Sequence, residues 1–440
     1  MKTKVLFSLL SVSLCCFAAS LQAEPQVIHL FVNGPIHPIS AGYVSNAIDF
    51  ALSKEAEVVV FQIQTPGGLD ASMRTIISKM INSKIPVIVY VAPSGSRATS
   101  AGFFITVAAD IAVMAPGTHL GSAHPVSFGQ QGEDTENTKT MMKKATEDSV
   151  AYIKTLAERR GRNVEQAEKA VRESASFTEN EALKANLINL IASNMGDLLK
   201  KADGATIRRF DGSTKKLNLQ NARVLPFDMT RRERFLSFLA DPNVAFILLS
   251  FGSLALLVEF YNPGSILPGI VGVICIALFL LSMQILPINY AGVFLILFAA
   301  ALFALELKVA SHGILTIGGI ISVALGATML IDAPIPEMKI AYKVIGTMIV
   351  MIAATMAFLL ALVVSLHRKK PLTGVQGLLQ EIGTAQSEIA LQGQVFVHGE
   401  IWNAVAAHPI EKGEKVKIVS VEGLTLRVVK YEEKNLSSSD

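Results

Sequence analysis

The hydrophobic pattern of the chain changes twice along its 440 residues. Between residue 26 and about residue 200, short apolar runs alternate with amphipathic stretches. The runs are VIHLFV, VVVFQI, PVIVYVA, DIAVMA and LINLIA, and the stretches include AGYVSNAIDFALSK and DASMRTIISKMINS. Regular alternation of buried strands with helices indicates an α/β domain with a largely parallel sheet. We predict this domain over residues 24–203, followed by a polar linker over 204–243 with a hairpin near FDGSTKKLNL.

Residues 244–367 form a second region, in which long apolar runs contain almost no charges. The runs cover about 244–260, 270–286, 291–307, 312–331 and 343–366. A membrane-spanning helix needs about 20 apolar residues, with a lower limit of about 17. Because the runs lie near or above this limit, we predict four or five transmembrane helices. Glu259 and Glu306 lie at the ends of their runs, where we expect capping or interfacial snorkelling rather than an ion pathway.

Residues 371–432 are again polar and rich in turns, in segments such as GQVFVHGEIWNAVA, EKGEKVKIVSV and EGLTLRVV. Alternating side chains between glycine turns predict about five short strands, which indicate a small β-barrel. Residues 433–440 are predicted to be a polar tail.

The first residues have the pattern of a secretory signal, with Lys2 and Lys4 before the apolar run VLFSLLSVSLCCFAA. We predict a signal peptide over residues 1–23, and an uncleaved membrane anchor is the alternative. If the signal exports residues 24–243, five spans place the C-terminus in the cytoplasm. The basic sequence HRKK directly after the last span agrees with the positive-inside rule.

Composition narrows the possible functions. The chain is 51% hydrophobic and only 17% charged, which is consistent with a lipid bilayer as its environment. Its net charge is +3 without a long basic run, which argues against nucleic acid as the main partner. Cys15 and Cys16 lie in the predicted signal and Cys275 in an apolar run. The exported domain is therefore expected to have no disulfide, no thiolate ligand for a metal and no cysteine nucleophile.

Two segments of the first domain have residues suited to acyl-transfer chemistry. The sequence Thr65-Pro66-Gly67-Gly68 follows a predicted strand, where glycines free backbone N–H groups to point into a crevice, although an ordinary turn explains it equally well. Ser100, in the sequence ATSAG, is predicted near a helix N-terminus, which favours developing negative charge. The alternative role for Ser100 is an ordinary helix N-cap.

The sequence leaves the catalytic base open. His119 and His124 follow the serine in GTHLGSAHPV and are candidates for a Ser–His pair. Lys143 and Lys144 lie early in a long helical pattern, and a lysine acts as a base where burial keeps it neutral. Spacing alone does not separate any of these from polar surface residues. The polar stretch 127–139 is predicted to be a flap over a cleft.

Six motifs occur in this order along the chain: TPGG, ATSAG, APGTHLGSAHPV, AYIK…GRN, NPGSILPG and GEIWNA…IEKG…GLTL. Taken together they resemble the long form of the NfeD (nodulation-efficiency) family of membrane-bound serine proteases. The resemblance implies a ClpP/crotonase-like α/β domain, a multi-span region and a C-terminal OB-fold barrel. It also implies a Ser–Lys dyad of Ser100 and Lys144, rather than Lys143. The amides of Gly68 and Ala101 would form the oxyanion hole, and Gly67 would shape the turn.

By the same resemblance we expect a serine endopeptidase without metal or cofactor that cleaves hydrophobic segments of stomatin-like (SPFH) membrane proteins. We expect a homo-oligomer in the bacterial inner membrane, with the protease domain extracytoplasmic and the barrel cytoplasmic. The alternative is a non-catalytic scaffold that assembles with stomatin-like proteins in membrane quality control. The predicted barrel contains only three aromatic residues, Phe396, Trp402 and Tyr431. Because binding of single-stranded nucleic acid needs aromatic side chains that stack on bases, we favour a protein-docking role for the barrel.

Overall fold

The computed structural model describes residues 24–126, 136–261, 264, 266–309, 311, 313–333, 338–368 and 375–431. The predicted signal peptide, the C-terminal tail and most of the predicted flap lie outside the described residues. The chain divides into two compact units, Met1–Ala354 and Thr355–Asp440.

A six-stranded parallel sheet with the strand order β11-β1-β2-β3-β5-β8 forms the centre of the first domain. Its strands are β1 (Gln26–Asn33), β2 (Val58–Gln64), β3 (Val87–Val91), β5 (Ile111–Met114), β8 (Leu190–Ile191) and β11 (Arg223–Pro226). Around the sheet lie the helices α1 (Pro38–Ser53), α2 (Asp70–Ile81), α3 (Ala101–Ala108), α4 (Glu136–Arg160), α5 (Val164–Arg172), α6 (Glu179–Lys184) and α7 (Met195–Ala202).

The central strands are apolar on both faces because helices or a hairpin cover each face. Phe61 and Val89 contribute to the larger core, on the face that α1 to α4 cover. Val60 and Ile88 contribute to a second core with Leu198 of α7. A parallel sheet buries both faces in this way, which is why its strands are continuous apolar runs rather than alternating ones. The predicted α/β domain is confirmed.

A second, three-stranded sheet stands beside the first and holds the segment that contains Ser100. It has the order β4-β6-β7 and consists of β4 (Arg97–Thr99), β6 (His119–Gly121) and β7 (Ser176–Thr178). β4 pairs in parallel with β6, and β6 pairs antiparallel with β7.

The structure differs from the predicted linker over residues 204–243. The expected hairpin is present as β9 (Thr206–Arg208) and β10 (Thr214–Lys216). The next segment, however, is the edge strand β11, in which Arg223 pairs with Gln26 of β1. The domain therefore continues to residue 226. The prediction missed β11 because four residues with Arg and Pro at their ends do not form a recognisable apolar run.

Helix α8 (Arg231–Leu239) connects the domain to five apolar helices. These are α9 (Pro242–Tyr261), α10 (Leu267–Ser282), α11 (Tyr290–Lys308), α12 (Ile314–Met329) and α13 (Tyr342–Arg368). Among the described residues, Pro242–Tyr261, Tyr290–Lys308 and Tyr342–Ala361 are long and apolar enough to span a membrane, while α10 and α12 are shorter. Glu306 accepts hydrogen bonds from the Gly313 and Thr316 amides at 2.9 Å, so its predicted capping role is confirmed.

The second unit contains a closed all-β barrel with the order β12-β13-β14-β16-β15. After the short helix α14 (Val375–Leu378) its strands are β12 (Ile382–Ala385), β13 (Gln392–Val397), β14 (Glu400–Ala406), β15 (Lys415–Glu422) and β16 (Thr425–Lys430). Trp402 packs against the barrel core, whereas Phe396 is 42% exposed. The predicted five-stranded barrel is confirmed.

Candidate active site

Ser100 lies at a sharp turn between β4 and α3. Its backbone has φ 51° and ψ −117°, a left-handed region that residues other than glycine rarely adopt. Such a conformation costs about 1–3 kcal/mol and persists where the surrounding structure holds it. Here the Ser100 amide donates to the Gly121 carbonyl at 3.0 Å, and the Ser100 carbonyl accepts from the Phe103 amide at 3.0 Å. A serine on a strained strand-to-helix turn is the geometry that presents a nucleophile.

The Ser100 side chain does not cap α3. Ser100 occupies the N-cap position of α3, but its side chain makes no capping hydrogen bond. Among the described residues its hydroxyl has no hydrogen-bond partner, and it faces the cleft. The hydroxyl is therefore available for chemistry.

The TPGG turn is held directly beside this serine. The Thr65 amide donates to the Arg97 carbonyl at 2.8 Å, so the end of β2 continues along β4. The Thr65 hydroxyl bonds to both the amide and the carbonyl of Gly67, at 3.1 and 3.0 Å. A Cβ at Gly67 would lie 2.7 Å from the Cβ of Ser100, and one at Gly68 would lie 2.1 Å from the Ile36 carbonyl oxygen. Only glycine fits at either position.

Two backbone amides at this point are unpaired within the part of the chain that the structure describes. They belong to Gly68 and Ala101, and both residues line the same cleft as Ser100. Their neighbours are bonded, since the Leu69 amide donates to Ile36 at 2.8 Å. The Ala101 amide is also the first of α3, where the helix dipole favours negative charge. Two free donors beside a hydroxyl are what stabilisation of an oxyanion requires.

The cleft in front of these groups has a volume of about 410 Å³. Its walls come from the TPGG turn, α2, α3, the segment after β6 and α4, and its apolar lining includes Met73, Phe104, Val126 and Met141. Arg74, which also lines it, forms ion pairs with Asp70 at 2.8 Å and with Asp148. The sequence did not predict the ion pair between Arg74 and Asp148, because no local motif connects residues that are 74 positions apart.

Lys144 lies on α4 and is not among the residues that line the cleft. Its side chain is exposed, and no hydrogen bond joins it to Ser100 in the described structure. The face of α4 that lines the cleft includes Met141, Ala145 and Asp148. At about 100° per residue, Lys144 is offset by about 40° from Asp148, whereas Lys143 is offset by about 140°. The helical phase therefore brings Lys144 closer than Lys143 to the cleft-lining face of α4, although neither lysine is among the residues that line the cleft.

Neither histidine lies at the serine. The His124 Nδ1 is 2.9 Å from the Val171 carbonyl oxygen, and His119 is exposed on β6. The residues that line the cleft with Ser100 include neither of them. This arrangement does not favour a Ser–His pair. Among the described residues, no group of three His, Cys, Asp or Glu side chains could hold a metal ion.

Two buried arginines join the end of α4 to the end of α3. Arg162 donates to the Val107, Leu187 and Ala109 carbonyls at 2.9, 2.6 and 3.0 Å. Arg160 donates to the Ala108 carbonyl at 2.8 Å. Burial lowers the pKa of Arg162 to about 9.

The Val107, Ala108 and Ala109 carbonyls lie at the C-terminal end of α3 and have no partners inside the helix, so cationic donors stabilise them. Because α3 starts beside Ser100 and α4 contains Lys144, the contacts fix one element relative to the other. In the sequence, the GRN motif that contains Arg162 contributes to the family resemblance but does not predict these contacts.

Three family models match successive parts of the chain. The NfeD1b N-terminal domain matches residues 26–226, the NfeD integral membrane domain matches 243–365, and the NfeD-like C-terminal, partner-binding domain matches 375–430. The chain is 34% identical over 436 residues to "Membrane-bound protease PH1510" of Pyrococcus horikoshii, covering 96% of this chain and 97% of the relative. The chain belongs to the NfeD family.

A second NfeD relative, "Membrane protein NfeD1b" of Bacillus subtilis, is 27% identical over 432 residues, which is 95% of each chain. Solved structures with some likeness are of a "1510-N membrane-bound stomatin-specific protease". A lysine-to-alanine mutant in complex with a substrate peptide is 31% identical, with a TM-score of 0.45 over 49% of this chain and 98% of that chain. A serine-to-alanine mutant is 32% identical, with a TM-score of 0.44 over 47% of this chain and 100% of that chain.

Proposed function

We propose that this NfeD protein is a membrane-anchored serine endopeptidase in which Ser100 is the nucleophile and Lys144 the general base. The observation that carries the proposal is the arrangement at the cleft: a strained serine without a hydrogen-bond partner in the described structure, next to the two unpaired amides of Gly68 and Ala101. The full-length relative described as a membrane-bound protease supports the same reaction class.

In the proposed reaction, the neutral amine of Lys144 takes the proton of the Ser100 hydroxyl as Oγ forms a bond to the carbonyl carbon of the peptide. The carbonyl oxygen becomes an oxyanion and accepts hydrogen bonds from the Gly68 and Ala101 amides. Collapse of this intermediate breaks the C–N bond, and Lys144 returns the proton to the leaving amine. Water then loses a proton to Lys144 and attacks the acyl-enzyme. The bond between the acyl carbon and the Ser100 Oγ then breaks, Lys144 returns the proton to Oγ, and the carboxylic product is released.

Lys144 is exposed in the present conformation, so the reaction requires its side chain to turn toward the cleft. The phase of α4 supports this role for Lys144, because only a small rotation about the helix separates it from Asp148 on the cleft wall. Lys143 would have to cross the helix. The arginine contacts between α3 and α4 would keep the serine and the lysine in register during such a movement.

We propose that the substrate is a hydrophobic peptide segment. The cleft wall includes Met73, Phe104, Val126 and Met141, and such a lining favours apolar side chains. A stomatin-like membrane protein remains the proposed source of the segment, and the match of the barrel to a partner-binding domain is consistent with docking of such a protein.

The proposed setting is the bacterial inner membrane, with the protease domain extracytoplasmic, the barrel cytoplasmic and the chain in a homo-oligomer. The domain boundaries are proposed as a signal peptide over 1–23, a protease domain to residue 226 and a membrane region over 244–367. A reporter fused after His367 tests the orientation, and export of that reporter would contradict five spans.

The proposed function is tested with the purified full-length protein and a panel of apolar peptides. We expect Ser100→Ala and Lys144→Ala to abolish cleavage, whereas Lys143→Ala, the matched control on the opposite side of α4, retains it. Equal loss from both lysine variants would refute the choice of Lys144, and turnover by Ser100→Ala would refute the dyad. If the wild-type protein cleaves nothing but its barrel binds a stomatin-like protein, the scaffold function is correct instead.

A further inference from the structure

Helix α8, between the protease domain and the first membrane helix, has an exposed face of mixed character. Phe235 and Phe238 are 48% and 60% exposed. Arg231 and Arg234 lie on the same face, because positions i, i+3, i+4 and i+7 form one stripe of a helix. Leu236, which lies about 150° around the helix from the centre of this stripe, is half-buried, and Leu239, at the flank of the stripe, is buried. An apolar stripe would ordinarily face the core, yet here it faces away from the domain.

The inner side of α8 is attached firmly to the protease domain. The Glu233 carboxylate accepts from the Asn46 amide group of α1 at 2.8 Å, and it completes a capping box with Thr230. Just before the helix, the Phe227 ring contacts Tyr43 and Phe50, with centroids 5.7 and 5.1 Å away. These contacts fix the rotation of α8 about its axis. The exposed phenylalanines are therefore a defined surface.

The position of α8 in the chain indicates what this surface meets. α8 ends at Leu239, and α9, which is long and apolar enough to span a membrane, begins at Pro242. Two residues separate them, so α8 lies at the level where the chain enters the bilayer. Among the described residues no carboxylate pairs with Arg231 or Arg234. Arg234 donates one hydrogen bond to the Met229 carbonyl at 3.4 Å. Guanidinium groups without a carboxylate partner, beside exposed phenyl rings, match a layer of anionic headgroups above acyl chains.

We propose that α8 lies in the membrane interface, with Phe235 and Phe238 inserted among the acyl chains and Arg231 and Arg234 bound to anionic phospholipid headgroups. α8 then holds the protease domain against the bilayer through its contacts with α1. This inference does not depend on the proposed proteolytic activity.

The test uses the full-length chain in lipid nanodiscs that each contain one protein molecule, so that a second copy cannot cover the face. Phe238→Trp in a Trp402→Phe background makes the tryptophan at the α8 position the only one in the chain. Lipids brominated on their acyl chains should quench this fluorescence and shift its emission to shorter wavelength. A matched control is Leu183→Trp in the same background, since Leu183 on α6 is 40% exposed, and it should show neither effect.

Emission at the α8 position identical to that of the Leu183→Trp control would overturn the proposal. So would a shift to shorter wavelength without quenching that appears only in discs with two protein molecules, because a second copy would then cover the face. Phe235→Trp is a second reporter if the first variant does not fold. Quenching should be stronger in discs with phosphatidylglycerol than in pure phosphatidylcholine. Arg231→Gln with Arg234→Gln should remove that difference, whereas Arg159→Gln should not. If the Phe238→Trp protein with both arginines intact is quenched equally in the two lipids, the proposed binding of Arg231 and Arg234 to anionic headgroups is wrong.

Discussion

The contact between Gly67 and Ser100 leads to the sharpest prediction about the site. In Gly67→Ala the new Cβ would lie 2.7 Å from the Ser100 Cβ. Carbon atoms in contact ordinarily lie about 3.5–4.0 Å apart, so Ser100 or the turn must move by roughly 1 Å. A displacement of this size at a reacting group can reduce the rate by about 10²-fold. We therefore expect kcat/KM to fall by about that factor.

The same substitution also strains the backbone, since Gly67 has φ +120°. Gly34→Ala separates the two effects, because Gly34 has φ +130° and a Cβ there would meet nothing within 4 Å. Both variants should lose stability by about 1–3 kcal/mol from strain alone. The assay measures peptide cleavage and the thermal unfolding midpoint of each full-length variant. If Gly67→Ala and Gly34→Ala retain equal kcat/KM, the close contact does not position the serine and the reasoning fails.

Two further predictions concern buried ionisable side chains in the protease domain. Arg162→Met leaves three carbonyls without their donor, and each buried unpaired group costs about 1–3 kcal/mol. Unfolding in urea should therefore show a loss of about 3 kcal/mol or more, while the exposed control Arg159→Met stays near wild type; equal losses would contradict the contacts. Burial lowers the pKa of His37 from 6.5 to about 4, so the unfolded chain binds a proton that the folded chain does not. Stability is then complete above pH 6.5 and falls by up to about 3 kcal/mol as the pH drops to 4. His37→Asn should flatten this part of a pH series of urea midpoints, and an unchanged slope would refute the assignment.

Much of the candidate site could be predicted from the sequence. A strand, a small-residue loop and an apolar run predict that Ser100 lies near a helix N-terminus, and the sequence also predicts the TPGG turn at a strand end. Both positions follow from local patterns, because hydrophobic periodicity and glycine content reflect the backbone of the same short segment. The choice of Lys144 over Lys143 rests on family resemblance and stays a prediction; the phase of α4 shows only that Lys144 is the nearer of the two to the cleft-lining face.

Other parts of the site had no local signal. The ion pair between Arg74 and Asp148, the Arg162 contacts with α3 and the pairing of β11 with β1 each join segments far apart in the chain. An arginine in a helix looks the same in sequence whether it is solvated or caps another helix. Burial and partner are properties of the packed domain, which is why these residues were found only in the structure.

The sequence by itself determined the order of the three regions, the alternation of strands and helices, and the apolar helices of the membrane region. It could do so because each depends on the hydrophobicity and period of neighbouring residues. Only the tertiary structure decided which hydroxyl and which amides remain unpaired at one cleft, and which face of α4 and α8 is exposed. The physical reason is that a free donor is defined by the contacts its neighbours make. Those contacts form between segments that approach each other only when the sheet and its helices pack.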